Sequence, residues 1–281
     1  MQDMALKIRP VARRVQGVPA SDGAGVRLTR VIGSQALPGV DPFLLLDEIR
    51  SDAGEDYAAG FPDHPHRGFE TVTYMLAGRM RHRDNQGNSG VLVPGSVQWM
   101  TAGRGIVHSE MPEQEEGLMW GFQLWVNLPA RDKMTKPRYQ EFPAAAIPAL
   151  AAAGGARVKL IAGGFGGATG PVRAEAVDAH YLDVAVPAGG AFAHRLPEAH
   201  NAFAYVFEGA ARFAGQAVRR GELAVLGSGG RVAIEAEGAA ARFLLVAGRP
   251  IGEPVARYGP FVMNTADELR TAFADYQAGR L

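Results

Sequence analysis

Two segments of this chain echo each other at long range. Tyr74-Met75-Leu76-Ala77-Gly78 is matched by Tyr205-Val206-Phe207-Glu208-Gly209, and after a loop Pro94-Gly95-Ser96-Val97 is matched by Arg220-Gly221-Glu222-Leu223. A repeat on this scale means one supersecondary unit built twice. The runs around the echoes are short, apolar and punctuated by turn residues, which favours an antiparallel sandwich or barrel. The 36 glycines, well above the usual share of roughly 7 per cent, supply the tight turns that many short strands need. The expectation is all-β: two copies of one antiparallel β-barrel.

Strands are expected at Ile8 to Val18, Val26 to Ile32, Thr71 to Leu76, Met80 to Arg83, Val91 to Val93, Val97 to Met100 and Leu118 to Leu128. Asp41 to Glu48 reads as a buried apolar strand bounded by charge, and Asp84 to Gly90 as a hairpin loop. Phe142 to Ala156, rich in alanine and proline, reads as a linker carrying a short helix. The expected division is therefore a first barrel over 1–141, a linker over 142–156 and a second barrel over 157–281. Strands resume at Val158 to Ile161, Tyr181 to Val186, Ala202 to Phe207, Leu223 to Leu226, Val232 to Glu235 and Arg242 to Val246. The chain closes with a helix: Thr265 as N-cap, Glu268 completing a capping box, Leu269, Phe273 and Tyr276 on one face, and Gly279 placed to end it.

Chemistry concentrates in His64-Pro65-His66-Arg67-Gly68-Phe69-Glu70 and His108-Ser109-Glu110. Residues two apart on a strand share a face, so His64 with His66, and His108 with Glu110, can aim at one point. Three nitrogens and one oxygen suit iron(II), and less selectively manganese, nickel, copper or zinc, with positions left open. Glu70 is a rival of the same parity, and Pro65 weakens the alternation because proline belongs at strand starts, edges or bulges. His82 reads as exposed at a strand end. At the offsets of the two echoes, His64 and His66 fall on Arg195 and Pro197, and His108 and Glu110 on Ile234 and Ala236. The second copy is thus expected to lack the site, leaving His180, His194 and His200 as ordinary polar residues.

Other classes are disfavoured. Lysine plus arginine balance aspartate plus glutamate at 29 each, so the overall charge draws neither nucleic acid nor an anionic membrane. Absence of cysteine removes disulfides, iron–sulfur clusters, thiolate ligands and a cysteine nucleophile. Met1 to Ala20 has no apolar core resembling a signal peptide, and no apolar run approaches the roughly 18 residues of a membrane helix; a cytoplasmic protein is expected. The run Gly163-Gly164-Phe165-Gly166-Gly167 lacks the spacing of a dinucleotide loop and reads as a turn.

The chain resembles the pirin family, bicupins with two tandem jelly-roll barrels, through DPFLLLDE at 41–48, FPDHPHRGFETVTY at 61–74, PGSVQWMTAGRGIVHSEMP at 94–112, WGFQLWVNLP at 120–129 and GPFVMNT at 259–265. The resemblance implies one metal ion, usually iron, held by His64, His66, His108 and Glu110 in the first barrel. It sets Glu70 aside as a ligand: the general cupin pattern pairs that glutamate with a later histidine, where this chain has Gln98 and Trp99. It also implies two functions. One is a quercetin 2,3-dioxygenase type of enzyme, using molecular oxygen to open the ring of a flavonol such as quercetin and releasing carbon monoxide, with Glu110 taking the hydroxyl proton and Phe61, Phe69, Met100, Trp120 and Phe122 as apolar walls. A related oxygenase with another aromatic substrate fits equally. The second is a redox-sensing regulator whose metal alters a surface, including Arg67 and Arg104, presented to a protein partner. Packing of one barrel against the other is compatible with a monomer.

Overall fold

In the computed structural model, which describes residues 6–281, the chain forms two β-barrel units. One contains Val18–Gly33, Phe43–Ala145 and Ile251–Leu281. Its larger sheet has seven strands in the order Arg138–Phe142, Val97–Thr101, Phe69–Ala77, Met119–Asn127, Phe43–Ser51, Val26–Ile32 and Val18–Asp22. Its smaller sheet has Phe61–His66, Ile106–Pro112, Met80–Asp84 and Ser89–Leu92. The central strands Phe69–Ala77 and Met119–Asn127 are buried almost throughout, as a covered sheet demands. Strands of the smaller sheet alternate: in Met80–Asp84, Met80 and His82 point inward while Arg81 and Arg83 are exposed.

The other unit repeats this plan strand for strand. Its seven-stranded sheet runs Val11–Gln16, Glu222–Leu226, Asn201–Glu208, Ala241–Gly248, His180–Val186, Arg157–Ala162 and Ala149–Ala151. Its smaller sheet runs Ala191–Arg195, Arg231–Ala236, Ala210–Phe213 and Gln216–Arg219. The strand pairs in both units are antiparallel, including those framing the barrels. Phe192, Leu196, Phe213, Val232, Ile234 and Phe243 fill its interior. The two echoes in sequence are therefore two jelly-roll copies.

Three expectations need correction. The run Ile8 to Val18 is not one strand. It breaks at Gly17, where Val11–Gln16 pairs with the edge strand Glu222–Leu226 and Val18–Asp22 begins a hairpin with Val26–Ile32. Pairing covers an otherwise open sheet edge, and it draws the N-terminal strand into the unit built mainly from Ala146–Pro250. The linear division into 1–141 and 157–281 is accordingly not the division of packing, because Ile251–Leu281 belongs with the first barrel. The expected linker helix is one 3-10 turn, Ala144–Ala146, followed by the strand Ala149–Ala151.

The closing helix spans Ala266–Gln277. Thr265 Oγ1 accepts from the Glu268 amide at 3.2 Å, and Glu268 Oε2 accepts from the Thr265 amide at 2.9 Å, so both halves of the capping box are made. Phe273 packs edge-on against Phe261, ring centres 4.8 Å apart, which seats the helix beside the strand Phe261–Met263.

Candidate metal centre

His64 and His66 lie on Phe61–His66, the edge strand of the small sheet. Pro65 is tolerated there because an edge strand leaves one row of amides unpaired. The neighbouring strand brings His108 directly opposite His64 and Glu110 opposite Phe61, with a register shift between them. The four residues Phe61 to His64 thus face the three residues His108 to Glu110, a bulge of the kind that re-aims side chains. The His64 and His108 rings are 4.4 Å apart, His64 and His66 4.7 Å, and His66 and His108 5.0 Å. One ring nitrogen from each lies within 4.8 Å of the others, so the three imidazoles form a group able to hold a metal ion.

Their hydrogen bonds prepare the lone pairs. His64 Nδ1 lies 2.8 Å from the Pro62 carbonyl, and His66 Nδ1 lies 3.4 Å from that of Pro260. A carbonyl accepts only from N–H, which places the proton on Nδ1 and leaves Nε2 as the donor toward an ion. His108 is 1 % exposed, and neither of its nitrogens has a partner. Burial of such a group without a partner is costly, and an ion removes the cost. Burial also holds the His66 and His108 pKa values well below the ordinary imidazole range, with neighbouring imidazoles adding to the effect, so both rings are neutral at pH 7.

Glu110 is turned to other partners: Oε1 accepts from Thr73 Oγ1 at 2.9 Å and Oε2 from Gln123 Nε2 at 2.8 Å. Glu70 is occupied elsewhere, accepting from Trp99 Nε1 at 2.8 Å and Thr101 Oγ1 at 2.6 Å. His82 is not exposed. It sits opposite Glu110 on an interior strand, 3 % exposed, with Nε2 2.8 Å from Glu141 Oε2.

The turn linking the ligand strand to the core is fixed tightly. At Gly68 φ is +87°, and a Cβ would stand 1.9 Å from the Val262 carbonyl oxygen, so no other residue fits. Buried Lys133 donates to the carbonyls of Gly68 and Val262 and to Asn127 Oδ1, at 2.8, 3.0 and 2.7 Å.

A cavity of about 590 Å3 opens onto His64 and His66. Leu28, Leu45, Ile49, Phe61, Gln123 and Trp125 wall it, together with Arg30, Asp47 and Arg257. The Arg257 guanidinium lies 4.7 Å over the Trp125 ring. Of the five wall residues expected from sequence, Phe61 alone lines this space. Phe69 packs on Trp125 behind His66, Met100 sits in a cluster with Ala102 and Ile106, and Trp120 donates to Glu48. Phe122 faces a narrow void beside Glu110. The reason is strand parity: in Met119–Asn127 the odd positions Gln123 and Trp125 face the cavity. A glutamine amid apolar residues was the signal for that face.

Two tandem jelly-roll barrels, one carrying an imidazole cluster at its mouth, define a bicupin. The chain belongs to the pirin family. The model described as "Pirin" matches residues 25–126, and that described as "Pirin C-terminal cupin domain" matches 181–281. A pirin-like protein of Caulobacter vibrioides is 56% identical, covering 98% of this chain and 100% of its own length. Pirin of Homo sapiens is 41% identical over 92% of this chain and 88% of its own. The crystal structure of a quercetin 2,3-dioxygenase from Acinetobacter baumannii superposes with a TM-score of 0.89 at 32% identity, covering 98% of both chains. No helix among the described residues is long and apolar enough to cross a membrane.

Proposed function

We propose that this protein is a mononuclear metal-dependent dioxygenase of the quercetin 2,3-dioxygenase type, acting on a flavonol or a similar planar aromatic. His64, His66 and His108 are its metal donors and iron(II) is the ion, while Glu110, expected from the sequence as a fourth donor, keeps both oxygens on Thr73 and Gln123. The observation that carries the reading is His108: a fully buried imidazole with two unpartnered nitrogens, placed opposite His64 beside a cavity of about 590 Å3. Such a volume is in the range of small-molecule sites. The similarity to the Acinetobacter enzyme supports the reaction class.

Bound iron(II) supplies Lewis acidity toward a substrate hydroxyl and redox access to dioxygen. The chain's own residues do the rest. Glu110 accepts the hydroxyl proton, held in orientation by Thr73 and Gln123. Gln123 Oε1 also accepts from Trp125 Nε1 at 3.1 Å, so the cavity wall and the carboxylate are set by one side chain. Leu28, Leu45 and Ile49 form an apolar face for aromatic rings and exclude water from them.

The regulator reading loses one of its two surface arginines. Arg67 is 3 % exposed and engaged with Asp275 and the Arg104 carbonyl, so it presents nothing to a partner. The test is oxygen uptake by the iron-loaded protein with quercetin, together with carbon monoxide release. Steady uptake with carbon monoxide supports the enzyme. Inertness toward quercetin and other flavonols with iron, manganese, nickel, copper and cobalt alike overturns it.

A further inference from the structure

The cavity beside His64 and His66 is lined by two arginines, and they stand in different electrostatic states. Arg30 is neutralised: its Nε lies 3.0 Å from Asp47 Oδ1, and its Nη2 lies 2.7 Å from Asp47 Oδ2 and 2.7 Å from Asp22 Oδ2. The third acid of the lining, Asp63, pairs with Arg83 at 3.5 Å. Arg257 has only a neutral acceptor, the Leu44 carbonyl, to which Nη1 donates at 3.1 Å, and no carboxylate among the described residues pairs with it. Partial burial, first, and the Arg30 charge hold its pKa below the ordinary guanidinium value, and the opposite charges of Asp47 and Asp22 do not offset them. The group stays charged and is short of a counter-charge.

The open edge has the geometry of a carboxylate fork. With Nη1 on Leu44, Nε and Nη2 of Arg257 meet no protein acceptor among the described residues. That is the edge by which Arg30 holds both oxygens of Asp47, and by which Arg242 holds both oxygens of Asp183 at 2.9 and 2.6 Å. Two parallel N–H donors of this kind recognise a planar carboxylate better than a point charge does.

Arg257 is also placed and held. It lies on Ala256–Tyr258, which pairs with Phe261–Met263 as a hairpin. The Val262 amide of that hairpin donates to the Arg67 carbonyl at 3.0 Å, and the Pro260 carbonyl is the partner of His66 Nδ1. One segment thus orients an imidazole of the cluster and carries the guanidinium. The guanidinium stands 4.7 Å over the Trp125 ring, and the His66 ring lies 5.2 Å from the same indole. Two groups held against one indole are close enough for one aromatic molecule to touch both. Contact with the indole and the bond to Leu44 restrict the side chain before a ligand arrives, so less rotamer entropy is lost on binding. Arg257 is exposed at the mouth, so an ion pair formed there is sensitive to salt.

Resting on the reading of this cavity as the substrate site of an oxygenase, we propose that Arg257 is a specificity residue for an anionic substrate, a hydroxylated aromatic carboxylic acid. Its carboxylate docks on the Nε and Nη2 edge, its ring lies along Leu28, Leu45 and Ile49, and its hydroxyl points to the imidazole cluster. A neutral flavonol uses the apolar wall and the cluster and leaves the fork empty.

The test compares 3-hydroxyflavone with its 4'-carboxylate, which differ by this one group. Both are titrated against the full iron-loaded chain under argon, where no turnover occurs. The carboxylate is expected to bind about tenfold tighter or more, with the preference shrinking as salt rises. Arg257→Gln is expected to bring the two affinities together, and Arg257→Lys to keep part of the preference, because a point charge lacks the fork. Iron content and circular dichroism check the cluster and fold of each variant. Equal affinities in the native chain, binding of neither compound, or a preference that survives Arg257→Gln overturns the proposal. Admitting oxygen separates it from the reaction: a preference without ring cleavage removes the oxygenase and keeps the acid specificity, and ring cleavage with equal affinities does the reverse.

Discussion

Arg67 Nη1 lies 2.9 Å from Asp275 Oδ2, joining the turn after His66 to the C-terminal helix. Arg67 is buried, and its Nε donates to the Arg104 carbonyl, so the pair fixes the backbone between His66 and Gly68. Asp275→Ala leaves a buried guanidinium short of an acceptor. The expected results are a loss of stability and roughly tenfold weaker metal binding, read by denaturant unfolding and metal titration. Unchanged metal affinity would remove the helix from the support of the site.

Gln123 joins the cavity wall to Glu110. Gln123→Leu keeps the volume but frees both Glu110 Oε2 and Trp125 Nε1. Metal content is expected to stay within error of the native protein, while kcat with the flavonol falls about a hundredfold, the scale of a misplaced proton acceptor. A rise in KM alone, with kcat preserved, would assign Gln123 to the wall only.

Leu28 and Ile49 belong to the apolar face of the same cavity. Leu28→Phe narrows it without touching a donor residue. The expected effect is a rise in KM for quercetin of about tenfold or more with unchanged iron content, measured by steady-state oxygen uptake.

Acid stability should report on Glu141. His82, first, and Gln98 hydrogen-bond this carboxylate and hold its pKa below the usual range. A carboxyl group depressed on folding contributes stability above its unfolded pKa of about 4.3, and the contribution is lost as pH falls through the folded value. Glu141→Gln is therefore expected to flatten the acid limb of the unfolding curve and to cost about 1 kcal/mol at pH 7. An unaltered acid limb would show that the pair has no net effect.

Much of this architecture is legible in the chain. The echoed Tyr74 to Gly78 and Tyr205 to Gly209 segments announce two copies, and the capping box at Thr265 and Glu268 marks the helix. His64, His66 and His108 meet as their spacing and the family resemblance imply. What sequence hides is set by register and pairing. Parity alone cannot show the shift between His108 and Glu110, nor the burial of His82, which depends on partners on both sides of its strand. The inward face of Met119–Asn127 is decided by neighbouring strands, so Trp120 and Phe122 look as eligible as Gln123 and Trp125. Gly17 gives no sign that the chain there passes from one sheet to another, because that exchange rests on a free edge far along the sequence.

Metal-dependent ring cleavage at the imidazole cluster of the first barrel is read by oxygen uptake and carbon monoxide release with quercetin, comparing iron-loaded native protein with the His108→Ala variant at equal concentration. Steady turnover is expected of the native protein, with iron bound at the cluster, and loss of both iron and turnover in the variant. Turnover that survives His108→Ala, or iron held at the cluster with flavonols left intact, would contradict it.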